Sequence, residues 1–347
     1  MYKVISFIRA NKTKHGGAEV YLSRLSAELE KQRVSHKLIH SDIPKFLPSW
    51  LRVLLFNKQV CKDKKENDLY FSLERVACPD IYRAGDGVHK VFVDVEQKSK
   101  WNPLHKVYIA LEEKCFKNSK KIIANSEMIK KQIIDTYGIA SEKIEVVYNG
   151  INLVEMNLMA SQMKLENEFK IDFNKTRVLL YVGSGFKRKG VEEFLHIISK
   201  LNDTNIVAFV IGKEKNLKYY QNLSVALGVE KKVIFTGARD DVKDFYTVAD
   251  IFLFPTRYEP FSNVVLEAMS CQCAVITTKQ NGASEILDSE WVMKVPTDYS
   301  VVSKIDDLLN SNQKLESVKA RNLEIVQNFS IERNVEETLK VINEVMH

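Results

Sequence analysis

Short apolar segments alternate with amphipathic segments along the whole chain. The apolar segments are continuous, rich in Val, Ile, Phe and Tyr, and bounded by Gly, Asn, Ser or charged residues. Such runs, separated by helical patterns, predict strands buried on both faces of a parallel sheet. The predicted strands are KVISFI, HKLIH, DLYFSLE, DIYRAG, KKIIANS and KIEVVYNG in the first half, and RVLLYVGSG, NIVAFVIGK, KVIFTGA, DIFLFPT, AVITTK and WVMKV in the second. The pattern indicates an α/β fold of the doubly wound kind.

The alternation runs once to about residue 150 and then starts again. At 347 residues the chain exceeds the usual single-domain range, so we predict two Rossmann-like domains, 1–150 and 151–330. The segment from about 150 to 175 lacks a clear strand pattern and is interpreted as a linker. The amphipathic segment 331–347 predicts a final helix that could cross back to the first domain.

The net charge of +6 is unevenly distributed along the chain. Residues 1–150 carry 27 Lys and Arg against 18 Asp and Glu, a net of +9, whereas residues 151–347 carry 24 against 27, a net of −3. A basic half predicts an anionic partner, such as nucleic acid, a phospholipid surface or an anionic small molecule. The basic residues are dispersed and no nucleic-acid recognition module is visible, so we expect no nucleic-acid partner.

Cysteine usage and the lack of long apolar stretches suggest a cytosolic protein. No two pairs of cysteines have zinc-ligand spacing, so we expect reduced, buried thiols. The N-terminal apolar run is interrupted by Arg9 and has no small-residue cleavage site, which argues against a signal peptide. No stretch approaches the ~18 apolar residues of a spanning helix. The cysteines are Cys61, Cys78, Cys115, Cys271 and Cys273.

Two loops between predicted strands and helices carry groups suited to phosphate. HGGAE contains Gly16 and Gly17, which would let backbone amides approach an anionic ligand closely, although a plain tight turn explains the pair equally well. GSGFKRKG begins at Gly183 and offers the bidentate fork of Arg188 and the point charge of Lys189. It has neither a Walker ending nor dinucleotide-fingerprint spacing, and a solvated basic turn is the alternative.

A third segment, YEPFSNVVLEAMSCQ, holds two carboxylates, Glu259 and Glu267. Glu259 is predicted on a loop after a strand, and Glu267 inside a helix capped by Ser262 or Asn263. The first amides of that helix, up to Val264, would face a phosphate. Glu267 could then accept hydrogen bonds from ribose hydroxyls, and Glu259 could reach a hydroxyl of the group that the phosphate carries. An acid favouring the helix dipole is the alternative.

Together these motifs resemble the family 4 retaining glycosyltransferases of the GT-B fold, over nearly the whole chain. The resemblance rests on the spacing of Glu259 and Glu267, on ARDDVKDFYTVADIFLFPT and LEAMSCQCAVITT around them, and on HGGAE, IIANSE and VVYNGI elsewhere. YVGSGFKRKGVEEFL and YRAGDGVH are most similar to lipopolysaccharide-core glucosyltransferases of the WaaG type. The resemblance implies two Rossmann-like doubly wound domains facing across a cleft.

The resemblance also implies a nucleotide-sugar donor held mostly by the second domain, with the acceptor bound by the first. Arg188 and Lys189 would bind the diphosphate, Glu267 the ribose and Glu259 the sugar hydroxyls. Gly16 and Gly17 would close over the donor.

In the first domain, Asp86 of GDGVH matches an acidic active-site position of the WaaG-like enzymes. His89 lies near the place where many other family members use a histidine. Either residue could orient the acceptor or the 6-hydroxyl of the sugar. The WaaG-like pattern has an acid where this chain has Tyr21, and Glu19, two positions earlier, could substitute for it.

The chain shows no Asp-x-Asp constellation after a suitable strand, and Asp240-Asp241 is interpreted as a helix N-cap. Arg188, Lys189 and helix amides can stabilise the charge that develops on a leaving nucleotide diphosphate. We therefore expect transfer without a metal ion and without a cofactor other than the donor co-substrate. The resemblance implies front-face attack, in which the leaving phosphate helps to deprotonate the acceptor.

Two segments of the basic half, 46–65 and 101–121, mix Trp50 and Trp101 with Leu, Phe, Lys and Arg. Such segments can lie in a membrane interface and contact anionic lipids, although a core helix with a solvated basic face is the alternative. A lipid-linked acceptor in the inner leaflet would make the membrane contact useful.

The preferred function is transfer of a hexose, from UDP-glucose or a similar donor, to a lipopolysaccharide-core or other lipid-linked glycan. This would take place at the cytoplasmic face of the inner membrane. One alternative is a nucleotide-sugar epimerase of the same fold, which needs no acceptor. The other is a non-catalytic nucleotide-sugar-binding protein that is recruited to membranes.

Overall fold

The chain divides into two compact units, unit 1 (Met1–Tyr148 with Ile331–His347) and unit 2 (Asn149–Ser330). The computed structural model describes residues 4–11, 17–99, 101–153, 155–202 and 205–346, without the side chains of 17–20. Each unit contains a six-stranded sheet whose strands pair in parallel, with helices between them. Each of the twelve predicted apolar runs contains one strand, which confirms the α/β, doubly wound prediction.

Unit 1 has the strand order β2-β1-β3-β4-β5-β6. Its strands are β1 (Val4–Ile8), β2 (His36–Ile39), β3 (Asp68–Ser72), β4 (Ile81–Ala84), β5 (Lys121–Ala124) and β6 (Ile144–Val146). Its helices are α1 (Gly17–Lys31), α2 (Ser49–Lys62), α3 (His89–Val95), α4 (Pro103–Asn118) and α5 (Glu127–Tyr137), together with the last helix of the chain. Because β1 lies between β2 and β3, the strand order reverses direction there, and the loops that leave β1 and β3 flank that point.

Unit 2 has the strand order β12-β11-β10-β7-β8-β9. Its strands are β7 (Arg177–Val182), β8 (Ile206–Ile211), β9 (Val233–Gly237), β10 (Ile251–Phe254), β11 (Ala274–Thr278) and β12 (Val292–Met293). Its helices are α6 (Leu158–Phe169), α7 (Phe186–Lys189), α8 (Val191–Ile198), α9 (Leu217–Ala226), α10 (Val242–Val248), α11 (Asn263–Ser270), α12 (Val301–Asn310) and α13 (Asn312–Val326). Here β7 lies between β8 and β10, so the loops after β7 and β10 meet at the reversal of strand order.

The last helix, α14 (Ile331–Met346), packs into the core of unit 1. Its buried face carries Val335, Leu339 and Ile342. Thr338, on the same helix, shares a hydrogen bond of 3.0 Å with the Tyr21 hydroxyl of α1. One unit is therefore built from two separate stretches of the chain.

The segment 150–175, interpreted from its lack of a strand pattern as a linker, contains the helix α6 at Leu158–Phe169. The Asn157 side chain accepts a hydrogen bond from the Ala160 amide and so caps the helix. At the other end, Phe169 packs edge to face against Phe209 and Phe245 in the core of unit 2. The helix buries few of its own residues, which is why its apolar pattern is weak in the sequence.

The prediction that all five cysteines are reduced is also wrong in the structure. Cys61 of α2 and Cys78, in the segment between β3 and β4, form a disulfide with their Cα atoms 5.6 Å apart. The fold brings α2 against this segment, a proximity that a sequence separation of 17 does not reveal. Cys115, Cys271 and Cys273 are buried free thiols, as expected.

Among the described residues, no helix is long and apolar enough to cross a membrane.

Candidate functional site

The loops after β7 and β10 carry the charged residues of the candidate site in unit 2. Ligands of open α/β sheets bind outside the carboxyl ends of the strands, where the strand order reverses. The loop after β7 leads through α7 to Gly190, and the loop after β10 carries Glu259. Three predicted site residues, Arg188, Lys189 and Glu259, are thereby brought to this point of the sheet.

The short helix α7 presents the two basic side chains. It lies between Gly185 and Gly190, which both have left-handed backbone conformations (φ of 77° and 81°). Phe186 is buried, and its amide donates a 3.0 Å hydrogen bond to Glu214. The Lys189 ammonium lies 5.4 Å from the centre of the Phe254 ring. The helix is therefore anchored at its apolar side, and its orientation is set by the two turns.

Glu259 lies between the two cations. Its carboxylate is 3.0 Å from Arg188 Nη1 and 3.6 Å from the Lys189 ammonium, and all three side chains are largely buried. Arg188 also donates a 2.6 Å hydrogen bond to the Tyr258 carbonyl. The sum of these charges is positive, and partly buried cations attract an anionic ligand more strongly than exposed ones. Gly183, also predicted here, lies so close to Lys189 that an added Cβ would come within 2.8 Å of Lys189 Cδ.

A segment that the sequence analysis did not single out holds the backbone of Glu259. The Glu259 amide donates to the Gln280 carbonyl, and the Gly282 amide donates to the Glu259 carbonyl, both at 2.9 Å. Asn281 between them is fully buried and donates through Nδ2 to the Thr277 hydroxyl at 3.1 Å. In the sequence, the QNG segment after β11 has no signal beyond its turn-forming Asn-Gly pair.

Glu267 lies in the second turn of α11. Its carboxylate accepts a 3.1 Å hydrogen bond from the Tyr246 hydroxyl. Burial raises the pKa of Glu267, while Tyr246 and the charge of Lys189 act in the opposite direction. Tyr246, of α10, was not predicted as a site residue. Tyr246 is buried, like several other aromatic residues of the chain, and from the sequence alone it is taken for a core residue.

Helix α11 begins where it was predicted, but the predicted side-chain capping is not seen at Ser262. The helix begins at Asn263, and Ser262 is the N-cap residue without a capping hydrogen bond from its side chain. Asn263 accepts a 2.8 Å hydrogen bond from Asn149. Val264 follows in the first turn, partly exposed.

In unit 1, Asp86 and His89 lie together on the segment between β4 and α3. The Asp86 side chain is 77% exposed and lies 4.0 Å from Arg75 Nη1. His89 is the first residue of α3, and its Nε2 shares a 3.0 Å hydrogen bond with His105 Nδ1. Burial, and then the charge of Arg75, lowers the pKa of His89 to about 4. At neutral pH the imidazole is therefore uncharged, while Asp86 presents its carboxyl group to solvent.

The predicted residues of HGGAE are only partly described. Gly16 lies outside the described residues, as does the side chain of Glu19, and Gly17 is the first residue of α1. Tyr21 is buried, with its ring 4.1 Å from the Arg83 guanidinium, and burial raises its pKa. It therefore packs in the core of unit 1.

Asp241 is the N-cap residue of α10, as predicted for Asp240-Asp241, but its side chain makes no capping hydrogen bond. The carboxylate instead binds Arg239 at 2.8 Å and Lys164 at 2.5 Å. These contacts, above all the hydrogen bond from Arg239, lower the pKa of Asp241. Two neighbouring cations compete with the helix amides for the carboxylate. Within the described ranges, no group of three or more His, Cys, Asp and Glu residues is arranged to hold a metal ion.

Family models and known proteins match parts of this sequence. The family model "Glycosyl transferases group 1" matches residues 163–324, and "Glycosyltransferase Family 4" matches residues 84–155. The lipopolysaccharide glucosyltransferase WaaG of Escherichia coli K12 is 36% identical over 104 residues, 29% of this chain and 28% of WaaG. The chain spans little more than half the length of other curated relatives that it matches.

Two solved structures share the fold over nearly the whole chain. A crystal structure of WaaG, described as involved in lipopolysaccharide biosynthesis, has a TM-score of 0.79 at 19% identity and covers 97% of this chain and 99% of its own. Anabaena HepE in complex with UDP-glucose has a TM-score of 0.75 at 18% identity and covers 98% and 99%. These likenesses show the GT-B fold.

Proposed function

This chain belongs to the group 1 and family 4 glycosyltransferases, and we propose that it moves a hexose from a nucleotide-diphosphate sugar to a lipid-linked glycan. The donor is UDP-glucose or a similar sugar nucleotide, and the acceptor is a lipopolysaccharide core or another glycan on a lipid. The observation that carries the proposal is the cluster of Arg188, Lys189 and Glu259 at the strand-order reversal of unit 2. A HepE complex with UDP-glucose and the WaaG similarity support the choice of donor and acceptor class.

The two cations of the cluster suit the diphosphate of the donor. Arg188 offers a planar fork and Lys189 a point charge, and both are already held in place by protein contacts. Preorganised cations stabilise charge on a leaving group without reorganising during the reaction. We propose that they carry this task without a metal ion. Glu259 then faces the sugar hydroxyls while it holds both cations.

Glu267 is proposed to accept hydrogen bonds from the ribose hydroxyls. Its carboxylate is only partly exposed, and Tyr246 already donates to one oxygen. The raised pKa follows from that burial. A hydroxyl pair that donates to the carboxylate would relieve the desolvation of its charged form.

Asp86 and His89 are proposed to meet the acceptor or the 6-hydroxyl of the sugar. Asp86 has an exposed carboxyl group, and His89, three residues further along the chain, has a neutral ring. In the proposed front-face reaction the acceptor oxygen bonds to the anomeric carbon of the donor sugar. At the same time the bond between that carbon and the diphosphate oxygen breaks. The acceptor proton passes to the leaving phosphate oxygen. Because the acceptor attacks the same face that the diphosphate leaves, the configuration is retained.

Unit 1 is proposed to bind the anionic cytoplasmic face of the inner membrane. Phe46 and Trp101 are 86% and 87% exposed, and both lie in basic stretches before α2 and α4. Lys106 lies 5.5 Å from the centre of the Trp101 ring. Exposed aromatic rings beside lysines are typical of interfacial contacts with anionic lipids. Co-sedimentation with vesicles containing anionic lipid tests this, since Trp101→Ala should weaken it and vesicles of neutral lipid should not bind.

The function is tested by titrating the protein with uridine, adenosine and guanosine diphosphate sugars, with Mg²⁺ and with EDTA. The donor that binds is then incubated with an extracted lipid-linked glycan. We expect equal binding of one donor in both conditions and sugar transfer to the glycan. Epimerisation of the free donor, or binding without turnover, would replace the proposed activity with a different one. Loss of binding in EDTA would contradict the proposed metal independence.

A further inference from the structure

A buried arginine joins three parts of unit 1. Arg75 lies in the segment that leaves β3, beside the reversal of strand order, and its side chain is 9% exposed. Its Nε donates a 2.9 Å hydrogen bond to Glu112 of α4, and its Nη2 donates to the Gly87 carbonyl at 3.1 Å. Its Nη1 lies 4.0 Å from the Asp86 carboxylate. One guanidinium therefore contacts both α4 and the segment that carries Asp86.

Glu112 is the buried partner of this arginine. Its side chain is fully buried and accepts hydrogen bonds through both oxygens. Besides Arg75, its donors are the backbone amides of His89 and Lys90, at 2.7 and 3.3 Å, and the Tyr137 hydroxyl, at 2.7 Å. Four donors match what a carboxylate can accept. The group thus holds the first amides of α3 from α4, with further support from α5.

Both contacts converge on the segment Gly85–His89. Arg75 holds the Gly87 carbonyl, Glu112 holds the His89 amide, and Asn125 donates to the Gly85 carbonyl at 3.1 Å. Asp86 is thereby an exposed side chain on a backbone fixed at both sides. This arrangement is the one required to place an exposed carboxylate reproducibly against a substrate.

Stability alone is a weak reason for such a pair. Buried ion pairs often contribute little net stability compared with apolar residues of the same volume, because both charges lose their hydration. Geometric specificity is the better-supported use, and the contacts here fix one short backbone segment. We propose that Glu112, together with Arg75, is a positioning residue for sugar transfer, holding Gly85–His89 so that Asp86 or His89 meets the reacting groups. The inference rests on the function proposed above.

The test compares Glu112→Gln with Glu113→Gln. Glu113 is the next residue of α4, is partly exposed and forms an i,i+4 ion pair with Lys117, so it controls for loss of a charge on this helix. The Glu112→Gln substitution keeps the volume of the side chain but removes the charge that faces Arg75. With transfer measured per folded molecule, we expect kcat to fall by about 100-fold in Glu112→Gln, as for a small misplacement of a reacting group. Affinity for the free nucleoside diphosphate should stay unchanged, because unit 2 holds the proposed nucleotide site.

Hydrogen exchange gives a second readout that does not depend on activity. In Glu112→Gln the amides of His89 and Lys90, which donate to Glu112, should exchange about tenfold faster or more, the loss expected for hydrogen bonds to a charged acceptor. Arg75→Lys should show the same pattern, since an ammonium lacks the fork that spans Glu112 and Gly87. Glu113→Gln should leave exchange and kcat unchanged.

The outcomes separate the inference from the function on which it rests. Unchanged exchange in Glu112→Gln, or faster exchange with unchanged kcat in an active wild type, overturns the inference. A wild-type protein that transfers no sugar overturns the proposed function, and the exchange experiment still decides whether Glu112 holds the segment. A fall in kcat accompanied by an equal loss of affinity for the free nucleoside diphosphate would assign Glu112 a general structural role and would also overturn the inference.

Discussion

Gly190 is the residue at which a single methyl group should disturb the unit 2 site most. It separates α7 from α8 with a left-handed φ of 81°, and a Cβ built there would lie 1.9 Å from the Pro255 carbonyl oxygen. Contacts of real Cβ atoms shorter than 3.0 Å essentially never occur, so the Pro255 backbone would have to withdraw by about 1 Å or more. Pro255 begins the loop that leads to Glu259.

Gly185 provides a matched control at the other end of α7. It has a φ of 77°, and an added Cβ would meet no atom within 4 Å. Gly185→Ala should therefore cost only the left-handed conformation, about 1–2 kcal/mol. Gly190→Ala should add the cost of an overpacked contact, typically about 1–3 kcal/mol. For a unit of this size each kcal/mol lowers Tm by about 2–4 °C.

The assay is thermal unfolding of both variants, followed by titration with the nucleotide donor at a temperature where both are folded. Gly190→Ala should melt below Gly185→Ala by about 2–12 °C, the range that the added overpacking cost gives. It should also bind the donor more weakly, because the Arg257 amide and the Thr256 hydroxyl both donate to the Arg188 carbonyl and would move with the loop. Equal melting temperatures and equal donor affinity in the two variants would refute the reasoning.

Three further predictions concern the same two units. Glu267→Ala should weaken donor binding in a calorimetric titration, whereas Glu259→Ala should reduce turnover more than affinity; equal activity of both variants would contradict these roles. Burial raises the pKa of Glu267, so on acidification its carboxylate should become protonated at a higher pH than that of an ordinary Glu, and donor affinity should fall with it. A donor affinity that stays constant down to the ordinary carboxyl range would contradict this. In oxidised protein, Cys78→Ser should lower the unfolding free energy of unit 1 by about 3 kcal/mol, the value for a loop of similar length to the one that Cys61 and Cys78 close. Reduction of the wild type should give the same loss. A variant as stable as the oxidised wild type would show that the bond is not formed.

The strands were predictable because burial on both faces leaves a continuous apolar run. β7, for example, is buried at five of its six positions. α6 was not predictable, because few of its residues are buried and its stability comes from a cap at Asn157 and from Phe169 at its end. A helix that contributes so little to the core leaves a weak periodic pattern in the sequence.

The site was predictable where loops follow strands directly. Arg188, Lys189 and Glu259 lie near the carboxyl ends of β7 and β10, so their proximity follows from parallel pairing once these strands are neighbours. Partners from distant elements were not predictable. Glu112 lies within an amphipathic helix and, in the sequence, resembles the partly exposed Glu113 beside it. Only the packing of three helices shows which of the two is buried.

The return of α14 to unit 1 has a consequence for how the protein is made. The ribosome completes residues 149–330 before it produces Ile331–Met346, yet Val335, Leu339 and Ile342 belong to the core of the unit that was begun first. Unit 2 can therefore form all of its contacts during elongation, whereas the apolar face of unit 1 that α14 covers stays exposed until α14 has been made. Unit 1 can complete its core only after this last helix has left the ribosome.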